Sequence, residues 1–176
     1  MGRSESNPAP VEMPAVRPLF TAEEIAAAMP RDVLAVTILK GGFVFVADLI
    51  RALHRAGMRP RVDFMTLSSY GEGSESSGKV TITHDISDDV RGRDVLLVDD
   101  ILEQGRTMAA ARRLLLERGA RSVRMCVLLD KPGKRKVPGE PDFTGFSIPD
   151  RFVVGYGLDY AHRFRELPYI GTVDVG

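Results

Sequence analysis

Cysteine is almost missing from this chain. Only Cys126 among the 176 residues carries a thiol, so no intrachain disulfide can form, and a reducing compartment, the cytoplasm, is the expected setting. Cys126 lies in the apolar run 123–129 with no cation placed by sequence to activate it, so it reads as core and not as a nucleophile. An excess of one charge is missing too. Lys and Arg number 24, Asp and Glu number 24, and the formal net charge is zero. That excludes a generally basic nucleic-acid-binding surface and leaves room only for a local basic pocket. Histidine is scarce, and His54, His84 and His162 are too scattered to suggest a catalytic or metal cluster. Long hydrophobic runs are lacking: the best candidate, 38–50, is broken by Lys40, Gly41, Gly42 and Asp48, so no membrane contact is expected. A signal-peptide core is lacking as well. The N-terminus is polar and proline-rich, and residues 1–18 are expected to be a flexible tail before a single domain at 19–176. No internal repeat is visible.

What is present is an alternation of apolar runs and helical spacings. Thr21 with Glu24 forms a capping box at the start of a short helix that Pro30 ends early. Residues 33–39 are a β-branched apolar run, hence a buried strand, broken by Lys40-Gly41-Gly42. Helical spacing follows over 43–56 and closes at Gly57. Strands are expected at 61–67 and 80–83, with a Gly/Ser-rich loop over 68–79. Residues 95–98 read as a central strand, 99–105 as a loop, 106–118 as a helix and 123–129 as a strand. The stretch 131–149 reads as a Pro/Gly-rich connection and 152–154 as a short strand, with the remainder mostly irregular. Strands alternating with helices imply an α/β fold with a mainly parallel central sheet flanked by helices. Ligands of such sheets sit beyond the carboxyl ends of the strands, where the loops at Lys40, Asp99 and Lys131 should converge on one rim.

Gly73-Ser74-Glu75-Ser76-Ser77-Gly78-Lys79-Val80 nearly completes a P-loop. A P-loop needs a helix after the loop and a Ser/Thr hydroxyl for magnesium, whereas here Val80 offers no hydroxyl and a strand pattern follows. The match is accidental. Two readings of the stretch stay open: a mobile polar loop, or a lid that closes over substrate.

A better phosphate site lies downstream, in Val98-Asp99-Asp100-Ile101-Leu102-Glu103-Gln104-Gly105-Arg106-Thr107. A buried strand runs into an acidic loop, a glycine and a helix. Backbone N–H groups of residues 103–107 sit at a positive helix end, Gly105 permits close approach, and the Thr107 hydroxyl can bond a phosphate oxygen. Asp99 and Asp100 suit ribose hydroxyls or a hydrated magnesium ion. The plain alternative is a strand ending in a solvated acidic turn.

That segment resembles the phosphoribosyl diphosphate (PRPP) signature of the type I phosphoribosyltransferases. The wider chain, over about residues 19–172, resembles the hypoxanthine (hypoxanthine-guanine) branch. The likeness rests on Leu39-Lys40-Gly41-Gly42-Phe43, Ser68-Ser69-Tyr70-Gly71, the acidic loop, Leu129-Asp130-Lys131-Pro132, the stretch from Phe152 to Tyr160, and Arg165-Glu166-Leu167-Pro168-Tyr169-Ile170-Gly171. It implies the type I fold, with a small hood built from the chain ends. It also implies magnesium-dependent transfer of a phosphoribosyl group from PRPP to N9 of a 6-oxopurine, in a homodimer or homotetramer.

By resemblance, Glu103, Gln104, Gly105, Arg106 and Thr107 cradle the 5′-phosphate, while Lys40, Gly41 and Arg165 meet pyrophosphate. Asp99, Asp100 and Asp159 serve the metal, and Ser69 and Tyr70 tip a lid. Lys131 bonds the purine 6-oxo group, Phe152 stacks on the base, Val153 reads its edge through the backbone, and Asp159 lies nearby. Without the resemblance, Lys131 reads as a solvated member of the charge-rich loop 131–136. Glu103-Gln104 stand where the family usually has Asp-Thr. The family's aspartate is its proposed general base, so Glu103 and Lys131 are the expected catalytic pair, with one extra methylene changing the reach of the carboxylate. A non-catalytic PRPP or nucleotide sensor and a xanthine-preferring enzyme are the rival readings.

Overall fold

The computed structural model describes residues 21–69 and 80–173. Helix α1 (Ala22–Ala28) opens on Thr21, whose hydroxyl accepts from the Glu24 amide while the Glu24 carboxylate accepts from the Thr21 amide, so the capping box forms. Next come β1 (Leu34–Leu39), α2 (Phe43–Arg55), β2 (Arg61–Ser69) and β3 (Val80–His84). The chain continues through β4 (Asp94–Leu102), α3 (Arg106–Glu117), β5 (Ser122–Asp130), a short 3-10 turn (Pro132–Lys134) and β6 (Phe143–Ser147). Two-residue strands β7 (Val153–Val154) and β8 (Gly171–Thr172) close the described chain.

Six strands form one sheet in the order β3-β2-β1-β4-β5-β6. All neighbours are parallel except β2 and β3, which are antiparallel. β4 is central and buried along most of its length, as a strand covered on both faces must be. Its pleat splits its side chains between two layers. Val95 and Leu97 pack toward α3, against Met108, Ala111 and Leu115. Leu96 and Val98 pack on the other side with Val46, Leu49 and Leu53 of α2 and Ile25 of α1. Full burial of each such side chain is worth about 1.5–3 kcal/mol. β7 and β8 pair antiparallel as a separate small sheet. Of the chain ends from which a hood is expected, residues 1–20 and 174–176 lie outside the described residues.

Several expectations need correction. β4 runs on through Leu102, so Asp99 and Asp100 sit on the strand and not in the loop expected at 99–105. Backbone pairing with β5 continues as far as Leu102↔Asp130, which holds this polar end extended. β2 reaches Ser69, because Ser68 and Ser69 pair with Thr81 and Val80. The connection expected over 131–149 contains β6, whose alternation is hidden by Gly145 and the small polar residues beside it. Gly145 is required there by close packing, since a Cβ would lie 2.6 Å from the Leu128 carbonyl oxygen.

Candidate active site

Parallel pairing of β1, β4 and β5 brings their carboxyl ends side by side, so the loops after Leu39, Leu102 and Asp130 share one rim. At β1 the Leu39–Lys40 peptide is cis. Gly41 then passes so close to β4 that a Cβ would lie 1.8 Å from Asp100 Oδ2. Gly157 approaches from the other side, its own Cβ position 2.4 Å from the Gly41 carbonyl oxygen. Lys40-Gly41, Asp100 and the turn at Gly157 are therefore in direct contact.

Asp99 and Asp100 are both buried. Asp99 Oδ1 accepts from the Asp100 amide at 2.9 Å, and Asp100 Oδ1 accepts from the Ile101 amide at 2.7 Å. Burial, then the neighbouring Asp100 charge, pushes the Asp99 carboxyl well above the usual carboxylate range. Burial also raises Asp100, against the pull of its hydrogen bonds and of the Arg165 charge. Two adjacent desolvated carboxylates favour a cation between or beside them. Hard oxygen donors of this kind suit magnesium, which commonly takes only one or two protein carboxylates and completes its shell with water and phosphate.

Asp159 stands apart from this pair. Its carboxylate accepts from the His162 amide at 2.8 Å and pairs with Arg165 at 2.7 Å, while Arg165 also donates to the Gly157 carbonyl at 2.6 Å. Among the described residues no three carboxylate, histidine or cysteine side chains are grouped to hold a metal, so the structure does not gather Asp99, Asp100 and Asp159 into one cluster.

Beyond β4, residues 103–105 turn sharply and Gly105 takes φ +83° as the residue before α3. That left-handed conformation favours glycine. The first amides of α3, as at any helix start, have no intrahelical carbonyl partner, and no side chain caps them, the arrangement that receives anions. Arg106 is exposed and Thr107 half-buried at this end.

Lys131 overturns the plain reading of its loop. It is 3% exposed, not solvated. Its amide donates to the Leu102 carbonyl at 2.9 Å, and its Nζ donates to Glu103 Oε1 at 2.5 Å. The longer carboxylate of Glu103 thus reaches the buried ammonium and satisfies it, as a buried charge requires. Arg135, which sequence reading left among the solvated charges, is also inside: its guanidinium pairs with Asp130 and donates to the Glu103 carbonyl at 2.8 Å. The charge density of 131–136 masked both residues, and only the burial of the strand before them signals that they turn inward.

Phe152 lies just before β7, 40% exposed, with Tyr160 packed edge-on at 5.5 Å between ring centres. Val153 is half-buried on β7. Ser69 ends β2, whereas Tyr70 and the stretch 70–79 lie outside the described residues. Val80, the position that spoils the P-loop match, begins β3 and not a helix.

A parallel sheet whose rim carries paired carboxylates, a glycine-opened helix end and a buried lysine defines an α/β protein built to hold a phosphorylated ligand. Residues 21–161 match the family described as the phosphoribosyl transferase domain. Hypoxanthine phosphoribosyltransferase of Escherichia coli K12 is 49% identical over 142 residues, covering 81% of this chain and 78% of that one. Hypoxanthine-guanine phosphoribosyltransferase of Mycobacterium tuberculosis H37Rv is 46% identical over 151 residues, covering 86% and 73%. A crystal structure of a hypoxanthine phosphoribosyltransferase from Staphylococcus aureus superposes with a TM-score of 0.78 at 42% identity, covering 86% of this chain and 84% of that one. The chain belongs to the phosphoribosyl transferase domain family, among its hypoxanthine phosphoribosyltransferases.

Proposed function

We propose that this protein is a purine salvage enzyme that joins N9 of hypoxanthine, and of guanine, to C1 of the ribose of PRPP, releasing pyrophosphate and forming IMP or GMP. The observation that carries this reading is Lys131. A buried ammonium at the sheet rim, one hydrogen bond from Glu103, can donate to a 6-oxo group but has nothing to accept from a 6-amino group.

In this reading the amides of residues 103–107, with Gln104, Gly105, Arg106 and the Thr107 hydroxyl, hold the 5′-phosphate. Asp99 and Asp100 orient the ribose hydroxyls and, with Asp159, would hold magnesium, which would supply charge neutralisation for the pyrophosphate leaving group. Lys40, the Gly41 backbone and Arg165 meet the same group. Asp159 pairs with Arg165 and so orients its guanidinium. Phe152, exposed beside β7, stacks on the base, and Val153 reads the base edge through its backbone.

The reaction then depends on placing two substrates and stabilising the charge that leaves. As N9 bonds to C1, the C1–oxygen bond to pyrophosphate breaks and the purine loses a proton, for which Glu103 is the acceptor. A homodimer or homotetramer in the cytoplasm completes the assignment. The test is product formation from PRPP and magnesium with hypoxanthine, guanine, xanthine and adenine in parallel. IMP and GMP without AMP is the expected result. Binding of PRPP without turnover of any base would replace this reading with a nucleotide sensor, and XMP as the main product would replace it with a xanthine enzyme.

A further inference from the structure

Five contacts tie the loop after β5 to the turn after β4. The Lys131 amide donates to the Leu102 carbonyl and its Nζ to the Glu103 carboxylate. The Lys136 and Val137 amides donate to the Gln104 carbonyl at 3.1 and 3.0 Å. Between them, Arg135 donates to the Glu103 carbonyl at 2.8 Å while its other terminal nitrogen pairs with Asp130. Arg135 and Asp130 side chains are only 11% and 9% exposed. The stem of Arg135 also packs against the turn itself, its Cδ lying 3.3 Å from where a Gly105 Cβ would stand. This guanidinium holds two segments at once through its two terminal nitrogens. One is the turn assigned to the 5′-phosphate. The other is the end of β5 that projects Lys131.

We propose that Arg135 is a positioning residue that fixes the distance between the phosphate turn 103–105 and the base-reading Lys131, so that a ligand filling both half-sites is held better than its two parts. The planar fork of an arginine meets two acceptors in a fixed geometry, which a lysine ammonium on a flexible stem does not. This inference rests on the assignment of the two half-sites given above. It predicts a loss that falls on ligands spanning both loops and spares those that touch one.

Calorimetric binding of IMP and of ribose 5-phosphate to wild type, Arg135→Lys and the double variant Asp130→Asn/Arg135→Met tests it. Arg135→Lys keeps the charge beside Asp130, and the double variant removes both buried charges together. In both variants the dissociation constant for IMP should rise about tenfold or more, since displacements near 1 Å cost on that scale. Ribose 5-phosphate should weaken less than about threefold, a change smaller than one ordinary hydrogen bond produces. Unchanged IMP affinity, or an equal loss for both ligands, would overturn the proposal in favour of a purely local or structural role. Wild-type protein that holds ribose 5-phosphate but not IMP would overturn the purine assignment itself, and this inference with it.

Discussion

Individual residues set the chemistry, and three of them are open to direct test. Glu103 is both the counter-ion of the buried Lys131 and the proposed proton acceptor. Glu103→Gln keeps the shape and removes the charge, so kcat should fall about a hundredfold, the lower end for loss of a general base; steady-state assays with hypoxanthine measure it. Thr107→Val keeps the volume and deletes a hydroxyl at the start of α3. PRPP binding should weaken by about 1.5 kcal/mol, roughly tenfold, with purine binding unaltered. Equal loss for both substrates would remove Thr107 from the phosphate site. Gly41→Ala drives a methyl into the Asp100 carboxylate, 1.8 Å from Oδ2. Turnover should drop by about a hundredfold or more through displacement of that group. Gly133→Ala, where nothing lies within 4 Å of the added atom, should match wild type in the same assay.

At the level of elements, α1 is the clearest test of local rules. It has seven residues and one buried side chain, Ile25, so its capping box weighs heavily. Thr21→Ala should cost about 1 kcal/mol of stability in urea titrations. The box was legible because Thr21 and Glu24 stand at the required spacing. β1, α2 and α3 were legible for similar reasons: β-branched runs or a 3.6-residue period, ended by glycine. What sequence alone missed lies where tertiary pairing overrides local preference. Asp99 and Asp100 look like the start of a loop, yet pairing with β5 keeps them extended. Phe143–Ser147 looks like part of a linker, yet β5 recruits it as an edge strand. The turn before α3 was readable from Gly105 and the helix that follows. Arg135 was not, because nothing local separates a buried arginine from the exposed Lys134 and Lys136 around it.

For the molecule as a whole, the lone thiol reports on integrity. Burial pushes the Cys126 thiol up to about 12 from its ordinary value of 9.0. A thiol-specific disulfide reagent at pH 8 should therefore leave the folded protein unlabelled and react with one group per chain once it unfolds. The sign for stability follows from the raised value. The folded state holds this proton more tightly than the unfolded state, so the contribution is complete below pH 9 and is lost as pH rises from 9 toward 12. Cys126→Ser should flatten that part of the stability curve in chemical denaturation.

β4 serves two layers at once, Val95 and Leu97 on one face and Leu96 and Val98 on the other, and it ends in Asp99 and Asp100. Sliding it by one residue would exchange the two layers and send each aspartate to its neighbour's side of the sheet. Core and chemistry are thus written in a single reading frame. A lineage can trade one apolar side chain for another along β4, but it cannot insert or delete a residue there without losing both the fold's interior and the reaction it supports.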